Sequence, residues 1–145
     1  MSLLDSLYKE LILEHYKRPR NRGELLHASI RQEGLNPSCG DELELFLLIE
    51  EGIITDIRFT GAGCAISQSS ASMMTDALKG KSLSDALERA KEFKAMIHGE
   101  PPADSLGDLK VLSGIAKLPA RVKCATLAWV TLEQAVHTFT NSASP

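Results

Sequence analysis

The sequence predicts an α+β fold in which a small antiparallel sheet of about three strands is packed by several helices. Two observations favour this class. Apolar residues recur at every second position over residues 42–59, which is the pattern of strands, whereas apolar spacings of three and four dominate after residue 63. Strands grouped early and helices grouped late are typical of α+β domains. We therefore expect a single domain over residues 1–145, without repeats.

The chain begins with a predicted helix over residues 3–16, whose leucines have helical spacing and which Pro19 prevents from continuing. A basic loop, residues 17–22, follows it. Two interpretations of this loop stay open. It is either a solvated helix exit or a docking surface for a partner.

A β-hairpin is predicted next. Residues 42–49 and 53–59 show strand periodicity, and Glu50-Glu51-Gly52 forms the turn between them. A weaker run over residues 28–32 supplies the third strand that a stable hairpin needs.

Helical periodicity returns after Gly63. A first helix ends at Lys79-Gly80, and a second begins at Ser82, which together with Asp85 resembles a capping box. Residues 100–104, which include two prolines, form an exposed loop.

The C-terminal part contains a short helix and a long one. Pro119 occupies the first position of the long helix, where proline is well tolerated. Residues 141–145 are expected to form a frayed tail. The short helix carries Leu109, Leu112 and Ile115, and the core stripe of the long helix carries Val122, Ala125, Trp129, Leu132, Val136 and Phe139.

Composition excludes several classes of partner. The chain has 145 residues with 16 Lys+Arg and 19 Asp+Glu, a net charge of −3, so it lacks the basic excess expected of nucleic-acid or anionic-membrane binders. No apolar run has the roughly 18 residues of a membrane span, and the N-terminal stretch is amphipathic and unlike a signal peptide. We therefore expect a cytoplasmic protein without a nucleic-acid or membrane partner.

The three cysteines are an odd set, which argues against a disulfide framework and for thiol chemistry or metal binding. Cys39 precedes the first hairpin strand and Cys64 follows the second, so both lie at the same end of the sheet. Cys124 lies on the flank of the core stripe of the last helix, where it can face another element. The alternative for each cysteine alone is a small buried apolar residue. Glycines at positions 40, 61 and 63, which leave room for close backbone approach, favour a shared site.

If the three thiolates converge, zinc is the expected metal, and it needs a fourth ligand. Asp41 is the candidate, because it follows Cys39 by two residues and lies on the same side of an extended chain. An ordinary strand-entry carboxylate is the alternative interpretation of Asp41. The histidines are poorly placed in the sequence to compete.

Five segments resemble motifs of a known family: residues 15–21, 36–41, 61–67, 70–74 and 118–125. They are similar, in the same order, to those of the SufU-type members of the IscU/NifU-like iron–sulfur cluster assembly proteins. Lys123 stands where IscU-type proteins carry a histidine, and the interval of 60 positions from Cys64 to Cys124 agrees with the extra segment of SufU-type proteins. The family fold is a small antiparallel sheet packed by helices.

The resemblance implies a zinc-containing sulfur acceptor, a zinc-dependent sulfurtransferase. It would take sulfane sulfur from a PLP-dependent cysteine desulfurase of the SufS type and pass it to a downstream Suf scaffold or to apo iron–sulfur proteins. The zinc ligands that it implies are Cys39, Asp41, Cys64 and Cys124.

Cys39 is the predicted acceptor, since its loop can move with the least loss of packing, and a ligand from the desulfurase would replace it at the zinc. The thiolates and the carboxylate outweigh the charge of the zinc, so nearby cations should matter. Arg121, which fits the family position, is predicted to assist the transfer, and Lys123 is the second candidate. Solvated helix-start charges are the alternative for both.

Two other functions remain open. The first is a scaffold on which a [2Fe–2S] cluster is assembled, because three cysteines and an aspartate can also ligate iron. The second is a structural zinc module that serves as a docking adaptor, with the basic loop contacting an acidic partner.

Overall fold

The computed structural model of the chain describes residues 3–38 and 40–143, and the side chains of residues 9–38 and 40–141. The strands form one antiparallel sheet in the order β1-β2-β3, which confirms the expected α+β class. The strands are β1 (Ile30–Asn36), β2 (Asp41–Glu50) and β3 (Ile53–Ala62). The helices are α1 (Leu3–Lys17), α2 (Ala65–Leu78), α3 (Leu83–Ile97) and α4 (Val122–Ala143), with 3-10 segments at Asp104–Lys117 and Pro119–Arg121.

The strand register determines which residues meet at the end of the sheet. Asn36 in β1 pairs with Asp41 in β2, and Glu42 in β2 pairs with Ala62 in β3. Asp41 is therefore next to the chain that leaves β3 towards α2. The first residues of β2 and the last residues of β3 therefore lie at the same end of the sheet, as an antiparallel hairpin requires.

The predicted hairpin turn between β2 and β3 is confirmed. Glu51 and Gly52 both have positive φ, 53° and 76°, between the paired residues Glu50 and Ile53. Two consecutive left-handed residues are the signature of a type I′ turn, whose twist matches that of the flanking strands.

Strand β1 is predicted at residues 28–32, but it begins at Ile30 and extends to Asn36. The reason is that its apolar pattern is misleading: Leu35 is 69% exposed, whereas Asn36 is only 5% exposed. Pairing with β2 and packing against α4 decide the strand, and the sequence of β1 alone shows neither.

The helices cover one face of the sheet and form the core with it. Gly34 lets α4 approach β1 closely, since a side-chain carbon there would lie 2.0 Å from Oγ1 of Thr131. Phe93 of α3 stacks on Trp129 of α4 with ring centroids 4.5 Å apart. Trp129 is fully buried, as its place in the predicted core stripe requires.

The C-terminal part is more continuous than the sequence suggests. The predicted short helix is a 3-10 segment that is interrupted at Gly107. Pro119 begins a 3-10 turn that runs directly into α4, and α4 continues to Ala143; the frayed tail over residues 141–145 stays a prediction. Residues 144 and 145 lie outside the described residues. No helix in the described part of the chain is both long and apolar enough to span a bilayer.

Candidate metal centre

Three potential metal ligands converge at the end of the sheet where β1 ends and β2 begins. Asp41, Cys64 and Cys124 each offer one ligand atom, and these atoms all lie within 4.8 Å of one another. Asp41 is the first residue of β2, Cys64 is the N-cap of α2, and Cys124 lies in the first turn of α4. The cluster therefore joins three elements that are distant in the sequence.

The Asp41 carboxylate is buried, with 2% of the residue exposed, and hydrogen bonds reach both of its oxygens. The backbone N–H of Cys64 donates to Oδ1 at 2.9 Å, and the side-chain amide of Asn36 donates to Oδ2 at 3.4 Å. The Ser67 hydroxyl lies 3.3 Å from Oδ1. These contacts hold the carboxylate close to the two cysteines and away from solvent.

Cys64 caps α2 with its own sulfur. Its Sγ accepts a hydrogen bond from the backbone N–H of Ser67 at 3.4 Å. The sulfur therefore lies at the positive end of the helix dipole, which favours negatively charged groups. The residue is partly exposed, so the site is not sealed on this side.

Cys124 is fully buried. Its Sγ lies 3.9 Å from the side-chain nitrogen of Asn36, which belongs to β1. This agrees with the expectation that a cysteine on the flank of the core stripe of α4 faces another element.

Cys39, the fourth residue of the predicted ligand set, lies outside the described residues. Its roles as ligand and acceptor stay predictions. The chain's four histidines are all described, and none of them belongs to the cluster. Among the described residues, the donor set is therefore two thiols and one carboxylate.

This donor set fits zinc. Tetrahedral zinc with Zn–S bonds of about 2.3 Å and Zn–O bonds of about 2.1 Å holds its ligand atoms roughly 3.5–3.8 Å apart. Ligand atoms that already lie within 4.8 Å of one another need only small side-chain movements to reach that separation. Thiolates are also the usual ligands of iron–sulfur clusters, so the same residues suit iron.

The glycines around the site have two different functions. A side-chain carbon on Gly63 would lie 2.4 Å from Oδ1 of Asp41, and one on Gly61 would lie 2.2 Å from the carbonyl oxygen of Glu42. The expected close approach is thus confirmed at both positions. The prediction of a close approach is wrong at Gly40, because no described atom lies within 4 Å of an added carbon. Glycine is favoured there by its positive φ of 71°.

Sequence reasoning gave no role to Asn36 and Ser67, although both contact the ligands. Asn36 reaches Asp41 and Cys124, and Ser67 reaches Asp41 and Cys64. The available signal was their position inside the two cysteine-containing segments, 36–41 and 61–67. A polar residue next to a ligand often orients that ligand.

The predicted cations lie at the start of α4. Arg121 ends the 3-10 turn three residues before Cys124, and both Arg121 and Lys123 are exposed. Residues three apart share a helix face, whereas neighbours are about 100° apart, so Arg121 is better placed to act near the sulfur of Cys124. The role of Arg121 in transfer stays a prediction.

A three-stranded antiparallel sheet packed by helices, with two thiols and a carboxylate converging at one end, defines an α+β protein with a candidate metal site. The chain belongs to the family described as the NifU-like N terminal domain, whose model matches residues 7–144. The resemblance to the SufU-type and IscU/NifU-like proteins is thereby confirmed.

Two curated relatives cover most of the chain. The zinc-dependent sulfurtransferase SufU of Bacillus subtilis (strain 168) is 48% identical over 135 residues, which are 92% of this chain and 91% of that protein. The iron–sulfur cluster assembly scaffold protein IscU of Streptococcus pyogenes serotype M1 is 42% identical over 144 residues, which are 98% of this chain and 90% of that protein.

Solved structures show the same fold. The chain covers 97% of a Fervidobacterium islandicum AW-1 protein described as an iron–sulfur cluster assembly scaffold for the SUF system, with a TM-score of 0.86, 37% identity and 90% of this chain matched. A NifU-like protein (N-terminal) from Brucella abortus is 21% identical with a TM-score of 0.87, covering 98% of this chain and 100% of that one.

Proposed function

We propose that the chain is a zinc-dependent sulfur acceptor in iron–sulfur cluster biogenesis. It takes sulfane sulfur from a PLP-dependent cysteine desulfurase of the SufS type and passes it to a Suf scaffold or to apo iron–sulfur proteins. The observation that carries the proposal is the convergence of Asp41, Cys64 and Cys124 within 4.8 Å. The similarity to a relative named as a zinc-dependent sulfurtransferase supports the choice of zinc.

Four residues would hold the zinc: Cys39, Asp41, Cys64 and Cys124. When bound, zinc would keep the thiolates deprotonated and would itself be neither oxidised nor reduced. Asn36 orients the Asp41 carboxylate from behind, and the N–H groups at the start of α2 orient Asp41 and Cys64.

Cys39 is the acceptor in this proposal because the other two thiols are held in place. Cys124 is fully buried within α4, and movement of Cys64 would break the hydrogen bond from Ser67 to its sulfur. In the sequence, Cys39 falls between Asn36, where β1 ends, and Asp41, where β2 begins, and the sequence predicts a loop at this position. Loops of this kind commonly carry the reacting groups of a rigid scaffold.

The transfer is an exchange reaction at sulfur. The Cys39 thiolate attacks the outer sulfur of the donor persulfide, a new S–S bond forms at Cys39, and the S–S bond of the donor breaks. The donor cysteine leaves with the electron pair of that bond as a thiolate, so the exchange needs no external oxidant or reductant. The proton of the persulfide stays on the transferred sulfur or passes to water. The Arg121 guanidinium stabilises the negative charge that moves through the site.

The proposal is tested by replacing the acceptor and following the sulfur. Cys39→Ala should abolish both the persulfide, located by mass spectrometry, and the stimulation of desulfurase turnover, whereas Ser38→Ala, an exposed neighbour, is the matched control. Retained stimulation by Cys39→Ala contradicts its assignment as acceptor. A persulfide on Cys39 of the wild-type chain contradicts a purely structural docking adaptor.

A second function, a scaffold for a [2Fe–2S] cluster, is favoured by the donor set and by the relatives named as IscU scaffold proteins. Metal analysis and the absorption spectrum of anaerobically purified protein separate the two functions. Colourless protein with zinc supports sulfur transfer, and brown protein with iron and sulfide supports the scaffold.

A further inference from the structure

The end of α1 and the loop that follows it are strongly basic in a chain that is acidic overall. Residues 14–22 contain four basic residues and one acidic residue, a local charge of +3, so the remaining residues must sum to −6 to reach the chain's −3. Tyr16 is 44% exposed in the same segment. The four basic side chains are all exposed: Lys17, Arg18, Arg20 and Arg22. We call the surface of Tyr16, Lys17, Arg18 and Arg20 the basic rim.

The backbone that carries the basic rim is anchored to the core. The N–H of Arg20 donates to Oγ of Ser72 at 2.7 Å, and the side chain of Asn21 donates to Oγ1 of Thr75 at 3.1 Å. The N–H of Gly23 donates to the carbonyl of a β3 residue, Phe59, at 2.9 Å. Because the rim is preformed, a partner would lose little free energy in ordering it.

Arg22 is committed to this anchoring. Its guanidinium donates to the carbonyl of Gly61 at 2.7 Å and to Oε1 of Gln68 at 2.9 Å, and it lies 5.6 Å from the ring centroid of Phe59. Arg22 therefore ties the loop to the segment that leads to Cys64. The fold therefore uses the guanidinium of Arg22, which is left out of the surface defined above.

The charges of the basic rim are poorly neutralised within the described part of the chain. Arg18 and Arg20 lie 3.5 Å and 4.0 Å from the same carboxylate oxygen of Glu14, and Lys17 has no ion-pair partner there. Exposed pairs of this kind contribute little to stability. The rim thus presents net positive charge to an incoming molecule.

The basic rim borders a groove that leads to the candidate metal centre. The groove has a volume of about 430 Å³. Tyr16, Lys17, Pro19 and Arg22 form one wall, and Gly61, Ala62, Gly63 and Gln68 form the other. Gly63 directly precedes Cys64, so the lining of the groove ends one residue before a candidate ligand.

We propose that the basic rim docks an acidic segment of the sulfur-donor protein; this inference rests on the proposed function. Charge complementarity selects an acidic partner, and exposed tyrosine and arginine are typical of protein interfaces. Nucleic acid is a poor occupant, because the rest of the chain carries −6 and repels a long polyanion. We choose the sulfur donor as the partner and not the sulfur recipient, because the donor is the protein that meets the chain before sulfur is bound to it.

The test reverses charge on the basic rim and follows loading by the desulfurase. The double variant Lys17→Glu/Arg18→Glu is compared with Lys91→Glu/Lys117→Glu, which changes the net charge equally at exposed lysines outside the rim. The concentration of the chain that gives half-maximal stimulation of desulfurase turnover should rise about tenfold for the rim variant, with its maximum retained. The salt dependence of that concentration should weaken, and the control should stay within about twofold of wild type.

Each other outcome overturns a defined statement. If the wild-type chain does not stimulate the desulfurase, the proposed function fails and this inference fails with it. If the wild type stimulates and the rim variant matches the lysine control, only the docking inference fails. If the rim variant loads normally but delivers sulfur slowly to an apo iron–sulfur protein, the rim belongs to the recipient and the inference is wrong. Zinc content and thermal unfolding of each variant check that the fold is intact.

Discussion

At the scale of single residues, the candidate site depends on polar groups behind the ligands, and Asn36 is the clearest case. Its amide reaches both Asp41 and Cys124 from a position that is only 5% exposed. Asn36→Ala removes the donor on one carboxylate oxygen of Asp41, so we expect zinc affinity to fall about tenfold or more. Competition with a chromophoric chelator measures this. Glu33→Ala, an exposed change on the same strand, is the control, and equal affinities in the two variants would contradict the role of Asn36.

Gly63 gives a second prediction at this scale. An added carbon at residue 63 would lie 2.4 Å from Oδ1 of Asp41 and 2.6 Å from Oγ of Ser67. Gly63→Ala should therefore displace the carboxylate, weaken zinc binding and lower the unfolding free energy by roughly 1–3 kcal/mol. Gly114→Ala is the matched control, because an added carbon there meets no described atom within 4 Å. Zinc titration and urea unfolding of both variants measure the difference; a Gly63→Ala protein that binds zinc like the control would show that the contact relaxes without cost.

The sequence predicted some of the candidate ligands better than it predicted the polar residue that contacts them. Asp41 and Cys64 were predictable as neighbours because a hairpin brings its two ends together whatever its side chains are. Asn36 was not predictable, since a buried asparagine beside an exposed Leu35 inverts the usual apolar pattern. The contact of Cys124 depends on where α4 packs, and the apolar stripe of a helix does not specify the neighbour that its flank will meet.

At the scale of elements, α1 and α2 meet through a buried histidine. His15 is 6% exposed, and its Nδ1 lies 2.7 Å from Oγ of Ser72, which also accepts the N–H of Arg20 at 2.7 Å. The Ser72 hydroxyl is free to donate its own proton to Nδ1 of a neutral His15 ring. Burial, and after it the charge of Arg20, lower the pKa of His15 from its ordinary 6.5.

This histidine makes the chain less stable in acid. Below about pH 6.5 the unfolded chain protonates residue 15 while the folded chain still holds it neutral, so the unfolding free energy falls until the lower folded pKa is reached. The slope from this one group is at most about 1.4 kcal/mol per pH unit. His15→Gln should lose less stability than wild type between pH 7.5 and pH 5.5 in urea unfolding. The exposed His27→Gln is the control, and a wild-type-like pH slope in His15→Gln would refute the assignment.

A different buried serine of α2, Ser70, joins this helix to α4. The Ser70 hydroxyl donates to the carbonyl of Ala125 at 2.7 Å and accepts the indole N–H of Trp129 at 3.2 Å. Ser70→Ala leaves both groups buried without this partner, so we expect a loss of about 1–3 kcal/mol in unfolding free energy by urea titration. Ser84→Ala, at an exposed position of α3, should change it by less than about 0.5 kcal/mol. Equal stabilities would mean that water replaces the hydroxyl.

At the scale of the whole molecule, the cluster connects parts of the chain that an unfolded chain holds far apart. Asp41 and Cys64 are 23 positions apart, and Cys124 follows after another 60. Asp41 begins β2, Cys64 precedes α2 and Cys124 lies in the first turn of α4, so a ligand that binds all three also joins sheet and helices. Binding to the folded state alone stabilises that state by mass action.

Zinc should therefore raise the thermal stability of the entire chain. A thousandfold excess over the dissociation constant corresponds to about 4 kcal/mol, which for a chain of this size is a rise in Tm on the order of 10 °C. Differential scanning calorimetry with zinc and after chelation measures the shift. Magnesium at the same concentration is the control, because a hard cation prefers oxygen to thiolate ligands. Asp41→Ala should lose most of the zinc-dependent shift, measured from its own Tm in chelator, and a shift of wild-type size in that variant would remove Asp41 from the ligand set.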